Sequence, residues 1–416
     1  MDHFHYQDGV LCAESVPLAR IAESVGTPFY CYSSATLSHH LAVFRQAFAS
    51  IDHLICYSVK ANSNLAVLNL LVEAGAGVDI VSGGELARAA RVNCPPERIV
   101  FSGVGKSSAE IRAALYRGLL MFNVESRAEL ERINRIAGEM GKIAPVSLRI
   151  NPDVDPKTHP YISTGLRKNK FGIPHAMALD VYQVANTMPH IEIVGLDCHI
   201  GSQLTQLDPF VDAVRRVRGL VELLIENGIN IRYLDLGGGL GIPYREEEET
   251  PSPALYAEAL LSELEGLNIT LVLEPGRAIA GNAGVLVARV EYVKQGEEKQ
   301  FIITDAGMND LMRPALYEAY HTVIPVQLND SAETSIADVV GPICESGDYF
   351  ARDRMLPNMA EGDLLAVRSA GAYGFVMSSN YNSRPRPAEV MVRGDDFSVI
   401  RERETIESLM AGEQIF

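Results

Sequence analysis

Short continuous runs of apolar residues alternate with longer segments of helical periodicity through the first two thirds of the chain. Eight such runs are predicted strands: 53–59, 77–82, 98–104, 121–126, 145–151, 193–200, 233–238 and 270–276. Runs that are apolar throughout, rather than alternating, are typical of parallel strands buried on both faces. The segments between them are predicted helices; in 210–225, for example, Val217, Val221 and Leu224 share one stripe.

Eight strand–helix units in series predict a closed (β/α)8 TIM barrel, since right-handed crossovers leave few other ways to bury both faces of a parallel sheet. An open, doubly wound sheet is the alternative on the pattern alone. Three strand-to-helix junctions carry S-x-x-E strings, Ser82/Glu85, Ser107/Glu110 and Ser126/Glu129. Each is a predicted capping box, in which the serine accepts from an orphan amide while the glutamate reaches back.

The pattern changes after residue 276. Segments of period two at 285–293, 301–304, 363–367 and 389–392 are separated by glycine, proline and acidic turns, which predicts a mostly antiparallel β domain. The segment 27–32 also reads as extended. We therefore expect an α/β protein: a barrel over 35–276 and a sandwich- or barrel-like β domain built from both chain ends, 1–34 and 277–416.

Composition narrows the classes of partner. The 416 residues favour two domains, and the net charge of −17, with no lysine or arginine run, argues against nucleic acid. The six cysteines form no CxxC pair and no metal-ligand spacing, so neither a disulfide framework nor a metal is expected. The chain shows no signal peptide and no apolar run long enough for a membrane span. We expect a cytoplasmic protein without a membrane partner.

Barrel active sites lie at the C-terminal ends of the strands, so the predicted strands also define candidate site residues. These are Lys60 after the first strand, Asp79 in the second, Arg149 near the end of the fifth, His199 and Ser202 after the sixth, Gly237, Gly238 and Gly239 after the seventh, and Glu274, Gly276 and Arg277 after the eighth. Each also has a structural interpretation: a surface lysine, a core histidine, a satisfied acid or a tight glycine turn.

The residue types at the predicted C-terminal ends of the barrel strands suit one kind of chemistry. Lys60 directly follows an apolar strand end, where poor solvation favours the neutral, nucleophilic amine. Glycines after strands seven and eight match the common barrel phosphate site, where backbone amides approach a phosphate. Glu274 is placed to pair with a protonated pyridine nitrogen, and His199 to stack on a planar ring. An amine, a phosphate cradle and an acid together favour pyridoxal phosphate (PLP).

Polar and reactive residues also stand out beyond the barrel: Arg313 and Tyr317 in MRPALY, Cys344 and Glu345 in CESGD, and Tyr373 in GAYG. A cysteine followed by Glu345 and Asp348 is a poor metal site. Nearby negative charge would instead keep the thiol protonated and able to donate a proton. The alternative for Cys344 is a small buried hydrophobe.

These strings resemble a known family. YSVKAN, HIGSQ, DLGGGLG, EPGR, CESGD and GAYG occur in the order found in fold-type III PLP-dependent decarboxylases, which share the alanine-racemase-like barrel. HPYISTGLRKNKFGI (159–173), GLDCHIGSQ (195–203), DAGMNDLMRPALYEAYH (305–321) and GPICESGDYFARDR (341–354) narrow the resemblance to diaminopimelate decarboxylases. The resemblance covers essentially the whole chain, and no motif residue is replaced.

The resemblance implies roles for the candidate residues. Lys60 would hold PLP as a Schiff base, Glu274 would hold the proton of the pyridine nitrogen, and His199 would pack over the ring. The other cofactor contacts would come from Asp79, Arg149, Ser202, Gly237, Gly238, Gly239, Gly276, Arg277 and Tyr373. The distal end of the substrate would contact Arg277, Arg313, Tyr317, Glu345 and Tyr373. Cys344 would donate a proton, in a homodimer whose second subunit supplies the Cys344–Glu345 loop.

The implied activity is decarboxylation of meso-2,6-diaminopimelate to L-lysine and CO₂, the last step of lysine biosynthesis. Arg277 and Arg313 suit the distal carboxylate of that substrate, and Glu345 suits its distal ammonium. The nearest alternative is another decarboxylase of the group, acting on ornithine, arginine or carboxynorspermidine. A racemase, a non-catalytic PLP-binding protein and a cofactor-free Schiff-base aldolase are further alternatives.

Overall fold

The computed structural model describes residues 2–155, 158–162, 164–165, 169–329 and 331–416. Residues 163 and 166–168 of the family string at 159–173 lie outside this part. The chain forms two units: a β unit of Met1–His39, Pro243–Glu248 and Ala280–Phe416, and a barrel unit of His40–Ile242 and Glu249–Ile279. The predicted domain limits at 34 and 276 stay predictions. The segment Pro243–Glu248, which the sequence places in the barrel, belongs to the β unit.

The chain begins with a small antiparallel sheet and two helices. The elements are β1 (Phe4–Gln7), β2 (Val10–Ala13), β3 (Val16–Pro17), α1 (Leu18–Val25), β4 (Phe29–Ser33) and α2 (Ser34–Ala47). Strands β1, β2 and β3 pair in that order. Their apolar side chains, together with those of α1 and β4, are buried in the core of the β unit.

The barrel strands match the eight predicted runs. They are β5 (His53–Ser58), β6 (Gly77–Ile80), β7 (Ile99–Phe101), β8 (Met121–Val124), β9 (Ala144–Asn151), β11 (Ile191–Asp197), β12 (Tyr233–Asp235) and β13 (Thr270–Leu273); the short β10 (Ile173–Pro174) pairs with β9. The helices are α3 (Leu65–Glu73), α4 (Gly83–Arg91), α5 (Ser108–Arg117), α6 (Arg127–Glu139), α7 (Ala178–Asn186), α8 (Asp208–Glu226), α9 (Pro253–Leu264) and α10 (Arg277–Ala280).

The parallel sheet closes on itself, because β8 pairs with β9 and β13 pairs with β5. This closure confirms the TIM barrel and excludes the open doubly wound sheet. A core cluster takes one buried residue from each of five strands: Cys56, Val100, Met121, Val194 and Val272. The predicted stripe of α8 is buried as well. Burial on both faces of the strands explains why their sequences are apolar throughout.

All three predicted serine caps are present, with Ser82, Ser107 and Ser126 accepting from the amides of Glu85, Glu110 and Glu129. Of these, the Ser107 site is a complete capping box. At the other two junctions the glutamate accepts from the amide before the cap, Val81 or Glu125. The prediction of complete boxes is wrong there. Those caps have φ of −156° and −162°, against −74° at Ser107, so a different amide faces the carboxylate.

The β unit contains β14 (Gly284–Gln295), β15 (Gln300–Thr304), α11 (Arg313–Tyr317), β16 (Val323–Pro325), β17 (Thr334–Val340), β18 (Tyr349–Pro357), β19 (Leu364–Val367), β20 (Ala388–Arg393), β21 (Asp396–Arg401) and α12 (Ile406–Leu409). Most of its strand pairs are antiparallel. Strand β4 lies between β14 and β20, so both chain ends build one sheet, as expected. Among the helices of the described residues, none has the length and apolar character needed to cross a membrane.

Candidate active site

Lys60 lies on a single turn of 3-10 helix, Val59–Ala61, directly after β5. Its Nζ is 2.6 Å from Oδ2 of Asp79, which is fully buried on β6. The Ser58 hydroxyl is 2.9 Å from the same oxygen. The Lys60 side chain keeps 36% of its surface exposed. A buried carboxylate therefore holds the amine at the C-terminal end of the barrel strands, where a small molecule can still reach it.

Four buried carboxylates lie on barrel strands or directly after one: Asp79 on β6, Asp197 on β11, Asp235 on β12 and Glu274 after β13. Burial is the main cause that raises the pKa of Asp197 and Glu274 well above the ordinary values, and repulsion from the other acids raises it further. Burial also raises the pKa of Asp235. Asn123 on β8 donates to Asp235 (3.0 Å) and lies 3.4 Å from Oε1 of Glu274. Such a cluster favours a cationic ligand, since a positive charge offsets the cost of ionising buried acids.

Arg149 on β9 is held by Glu125, which follows β8. Nη1 of Arg149 donates to Oε1 of Glu125 at 2.8 Å, and Oε2 of the same carboxylate accepts from the amide of Gly172 at 2.7 Å. Burial lowers the pKa of Arg149, but the charges of Glu125, Asp197 and Glu274 raise it on balance. Nη2 of Arg149 is buried and has no hydrogen-bond partner within the described part of the chain.

The glycines after β12 are required by close contacts with their neighbours. Gly237 has φ of +64° and Gly239 of +114°, which L side chains rarely adopt. A Cβ at Gly237 would lie 2.5 Å from Nδ1 of His199, and one at Gly238 would collide with the carbonyl oxygen of Glu274. The loops after β11, β12 and β13 thus approach one another more closely than side chains would allow.

The His199 ring is neutral. Burial, together with the positive charges of Arg149 and Lys60, lowers its pKa well below the ordinary value. Its Nδ1 accepts a hydrogen bond from the Gly238 amide at 3.2 Å, which requires a bare nitrogen there. A neutral ring fixed in this way can pack against a planar ligand without adding charge.

Arg277 and Ser202 are joined directly, since Nη2 of Arg277 donates to Oγ of Ser202 at 3.2 Å. The neighbouring Gly276 fits tightly: a Cβ there would lie 2.9 Å from Cβ of Ala61 and 3.0 Å from Cβ of Ser58. The loop after β13 therefore rests on the turn that carries the candidate lysine. Every candidate from the barrel unit lies among these strand-end contacts.

Several polar residues of this site were missed in the sequence: Asn123, Glu125, Asp197 and Asp235. All of them lie in or just after apolar strands. An acid or amide within such a run is expensive to bury without a partner. A polar residue within an apolar strand is therefore the sequence signal by which these four residues could have been identified.

The remaining candidates belong to the β unit. Arg313 and Tyr317 form the two ends of α11, with Arg313 buried. Cys344 and Glu345 are exposed, and the Cys344 amide donates to Oδ1 of Asn382 at 2.8 Å. Cys344 is therefore not the small buried hydrophobe that was its alternative.

Two further details of the β unit differ from what the sequence suggests. Asp348 does not act as a free acid beside the thiol: its carboxylate accepts from the amides of Met308 and Ile343, both at 2.6 Å. It shapes the loop instead. Tyr373 has φ of +55°, a conformation that costs a non-glycine residue about 1 kcal/mol or more and is concentrated at functional sites.

The barrel site suits PLP on its own chemistry. It offers a reachable amine on Lys60 and buried acids that favour a cationic ring nitrogen. Oδ1 of Asp79 and Nη2 of Arg149 are also buried polar atoms that lack hydrogen-bond partners among the described residues. Polar atoms left unpaired in a native interior call for a ligand or water.

Comparisons with known proteins agree with this reading. The family model described as the pyridoxal binding domain of pyridoxal-dependent decarboxylases matches residues 34–281. A diaminopimelate decarboxylase of Vibrio cholerae is 56% identical over 417 residues, covering 100% of this chain and 99% of that protein. One from Pseudomonas aeruginosa is 56% identical over 415 residues, with 100% and 99% covered.

A solved structure agrees as well. The crystal structure of diaminopimelate decarboxylase from Helicobacter pylori, complexed with L-lysine, superposes with a TM-score of 0.91 at 44% identity, covering 94% of this chain and 98% of that one. With relatives this similar over their full length, the chain belongs to the diaminopimelate decarboxylase family of pyridoxal-dependent decarboxylases.

Proposed function

We propose that this protein decarboxylates meso-2,6-diaminopimelate to L-lysine and CO₂, using PLP. The observation that carries the proposal is Lys60, held by Asp79 at the strand ends beside the buried acids. The relatives from V. cholerae and P. aeruginosa carry the name of this activity, and the H. pylori relative is described with L-lysine, which would be the product here. A cytoplasmic location stays a prediction from the sequence.

PLP, when bound, supplies a sink for the electron pair that remains when a carboxylate leaves as CO₂. Lys60 would hold the cofactor through Nζ, which the Asp79 carboxylate keeps in place at the strand ends. Glu274 would hold the proton of the pyridine nitrogen, because a positively charged ring offsets the cost of ionising this buried carboxyl. His199 would pack its neutral ring against the cofactor ring. Asp79 accepts from Nζ of Lys60 at 2.6 Å and would stabilise its ammonium form.

The phosphate of the cofactor would be bound by Ser202, Gly237 to Gly239, Gly276, Arg277 and Tyr373, with Arg149 completing the polar surroundings of the ring. The Ser202–Arg277 hydrogen bond pre-orients both groups. Glycine backbone amides approach a phosphate more closely than amides beside a Cβ can.

Substrate choice would depend on the distal end of diaminopimelate. Arg277 and Arg313 would bind its carboxylate, Glu345 its ammonium, and Tyr317 and Tyr373 would line the site. A substrate without that carboxylate forgoes the charge-assisted hydrogen bonds to these guanidinium groups, at a cost of roughly 2–5 kcal/mol. Since about 1.4 kcal/mol is tenfold, kcat/KM for diaminopimelate should exceed that for lysine or ornithine by roughly 30-fold to several thousand-fold.

The proposed function is tested by incubating the protein and PLP with meso-diaminopimelate and measuring lysine and CO₂. Lys60→Ala should abolish product and the visible absorbance of the PLP Schiff base, and borohydride should trap the cofactor on Lys60 in the wild type. Lys294→Ala, which removes an exposed lysine, is the control and should retain both. Turnover of lysine or ornithine within about tenfold of diaminopimelate would contradict the assigned substrate. Product without CO₂ release would indicate a racemase.

We also propose a homodimer in which Cys344 and Glu345 act in the partner's active site; both side chains are exposed. Mixing inactive Lys60→Ala and Cys344→Ala proteins, with subunit exchange, tests this. Half of the dimers are then mixed, and one of their two sites contains both intact residues, so about a quarter of wild-type activity should return. No recovery, with mixed dimers confirmed by mass spectrometry, would contradict shared sites.

A further inference from the structure

We propose that His321 and Tyr244 are positioning residues that fix the guanidinium of Arg313, and that they thereby set the preference for a substrate with a distal carboxylate. The inference rests on the proposed function and deepens it. All three residues belong to the β unit and are buried, with 0% exposure at His321, 5% at Arg313 and 8% at Tyr244. Neither His321 nor Tyr244 was a candidate in the sequence.

The hydrogen bonds of His321 define its tautomer. Nδ1 lies 2.8 Å from the Arg368 carbonyl oxygen, and Nε2 lies 2.9 Å from Nη1 of Arg313. A carbonyl only accepts and a guanidinium only donates. The ring therefore carries its proton on Nδ1, and its bare Nε2 accepts from Arg313.

A neutral partner has a particular consequence for Arg313. A carboxylate in the place of His321 would orient the guanidinium equally well, but it would also offset the positive charge. The imidazole orients the group and adds no counter-charge of its own. His321 itself therefore does not offset the charge with which Arg313 would attract an anionic group of the substrate.

Tyr244 restrains the guanidinium from a second direction. Cζ of Arg313 lies 4.6 Å from the Tyr244 ring centroid, a cation–π contact, and the same ring meets His321 edge-on at 5.1 Å and 79°. The Tyr244 carbonyl accepts from Oγ1 of Thr322 at 2.9 Å.

The next residue of the same segment strengthens this attachment, because Cζ of Arg245 lies 3.9 Å from the centroid of the Tyr320 ring. The segment Pro243–Glu248 is thus attached to the stretch that carries Arg313, which explains why it belongs to the β unit.

These contacts hold both the plane and one edge of the Arg313 guanidinium before any substrate binds. A planar fork recognises a carboxylate bidentately only in a narrow range of orientations, and pre-organisation reduces the entropy lost on binding. Losing either restraint should therefore weaken binding of the distal carboxylate, with little effect on the bond-breaking step.

Two replacements of His321 separate positioning from general support. The side-chain amide nitrogen of asparagine lies where Nδ1 of histidine lies. His321→Asn can therefore still donate to the Arg368 carbonyl, but it has no acceptor in the place of Nε2 for Arg313. The amide of glutamine extends to the place of Nε2, so His321→Gln can still accept from Arg313. We expect His321→Asn to raise KM for meso-diaminopimelate about tenfold or more with kcat within about threefold, and His321→Gln to recover most of that loss.

A second pair of variants tests the contact between the Tyr244 ring and Arg313. Tyr244→Leu removes the aromatic face and should raise KM about fivefold or more above that of Tyr244→Phe, which keeps it. Tyr292→Leu, which removes an exposed tyrosine of the same unit, is the control and should leave both constants unchanged. In His321→Asn and Tyr244→Leu, the preference for diaminopimelate over lysine should fall by the same factor as KM rises. Melting temperatures show which variants are folded.

Equal impairment of His321→Asn and His321→Gln, or a loss in kcat rather than KM, would overturn the positioning role of His321. If His321→Asn does not fold, the Tyr244 pair decides, and equal KM values for the leucine and phenylalanine variants overturn the inference. A wild-type enzyme that forms no lysine from meso-diaminopimelate would overturn the proposed function and this inference together. An active wild type with an unchanged KM in the folded variants would overturn only the inference.

Discussion

Glu125 offers the sharpest test of how the barrel site is held together. Its carboxylate binds both Nη1 of Arg149, at 2.8 Å, and the Gly172 amide, at 2.7 Å, and the two charged side chains are only 3% and 7% exposed. Glu125→Ala removes the acid and leaves the arginine buried. Asp197 remains, but its carboxylate is 3.8 Å from Nε of Arg149.

The expected loss follows from this burial. Removing one partner of a buried ion pair costs about 3–5 kcal/mol, because the other charge stays in a poorly solvated place. The Arg127–Glu131 pair on α6 is a matched control, since its side chains are 60% and 54% exposed. Glu131→Ala should cost no more than about 0.5 kcal/mol, as exposed i,i+4 pairs contribute little.

The assay is urea unfolding of the cofactor-free protein, with wild type, Glu125→Ala and Glu131→Ala compared. A double variant, Glu125→Ala with Arg149→Met, should be more stable than Glu125→Ala alone because the isolated charge is gone. Glu125→Ala should also weaken PLP binding, measured by fluorescence titration. A loss below about 1 kcal/mol in Glu125→Ala, or one equal to that of Glu131→Ala, would refute the reasoning.

Three further predictions concern the site. Gly238→Ala should destabilise the protein by about 1–3 kcal/mol in thermal unfolding, because the new Cβ collides with the Glu274 carbonyl oxygen. The control is Gly219→Ala, at an open, exposed position of α8, which should stabilise the protein by about 1 kcal/mol. Burial raises the pKa of Glu274 well above 4.5, so the folded apoprotein retains a proton that the unfolded chain loses, and stability falls as pH rises above that value. Glu274→Gln has no such proton to lose, so its free energy of unfolding relative to the wild type should increase between about pH 5 and 8. A difference between the two proteins that does not change with pH would contradict the raised pKa of Glu274. Cys344→Ser should lower turnover about tenfold or more and leave PLP affinity unchanged; full turnover would point to Lys60 as the proton donor.

Much of the barrel could be predicted from local sequence. Continuous apolar runs mark the buried parallel strands, and the stripe on α8 marks its buried face, because periodicity depends only on neighbouring residues. Once the strands are placed, the general rule for barrels puts Lys60 at the strand ends without any knowledge of tertiary contacts. The serine caps follow for the same reason, since their acceptors and donors are three residues apart.

The partners of buried polar groups were decided by tertiary structure alone. Glu129 was expected to reach back to Ser126 but accepts from the Glu125 amide, and Glu125 itself binds Arg149 of the adjacent strand β9. The pairing of Arg313 with His321 likewise depends on how the chain turns after α11. These choices depend on small differences in the distances between groups that packing brings together. The order of residues along the chain carries no such information. The sequence by itself therefore determined the strands, the barrel class and the position of Lys60 at the strand ends, whereas packing decided which charges and hydrogen-bonding groups hold them in place.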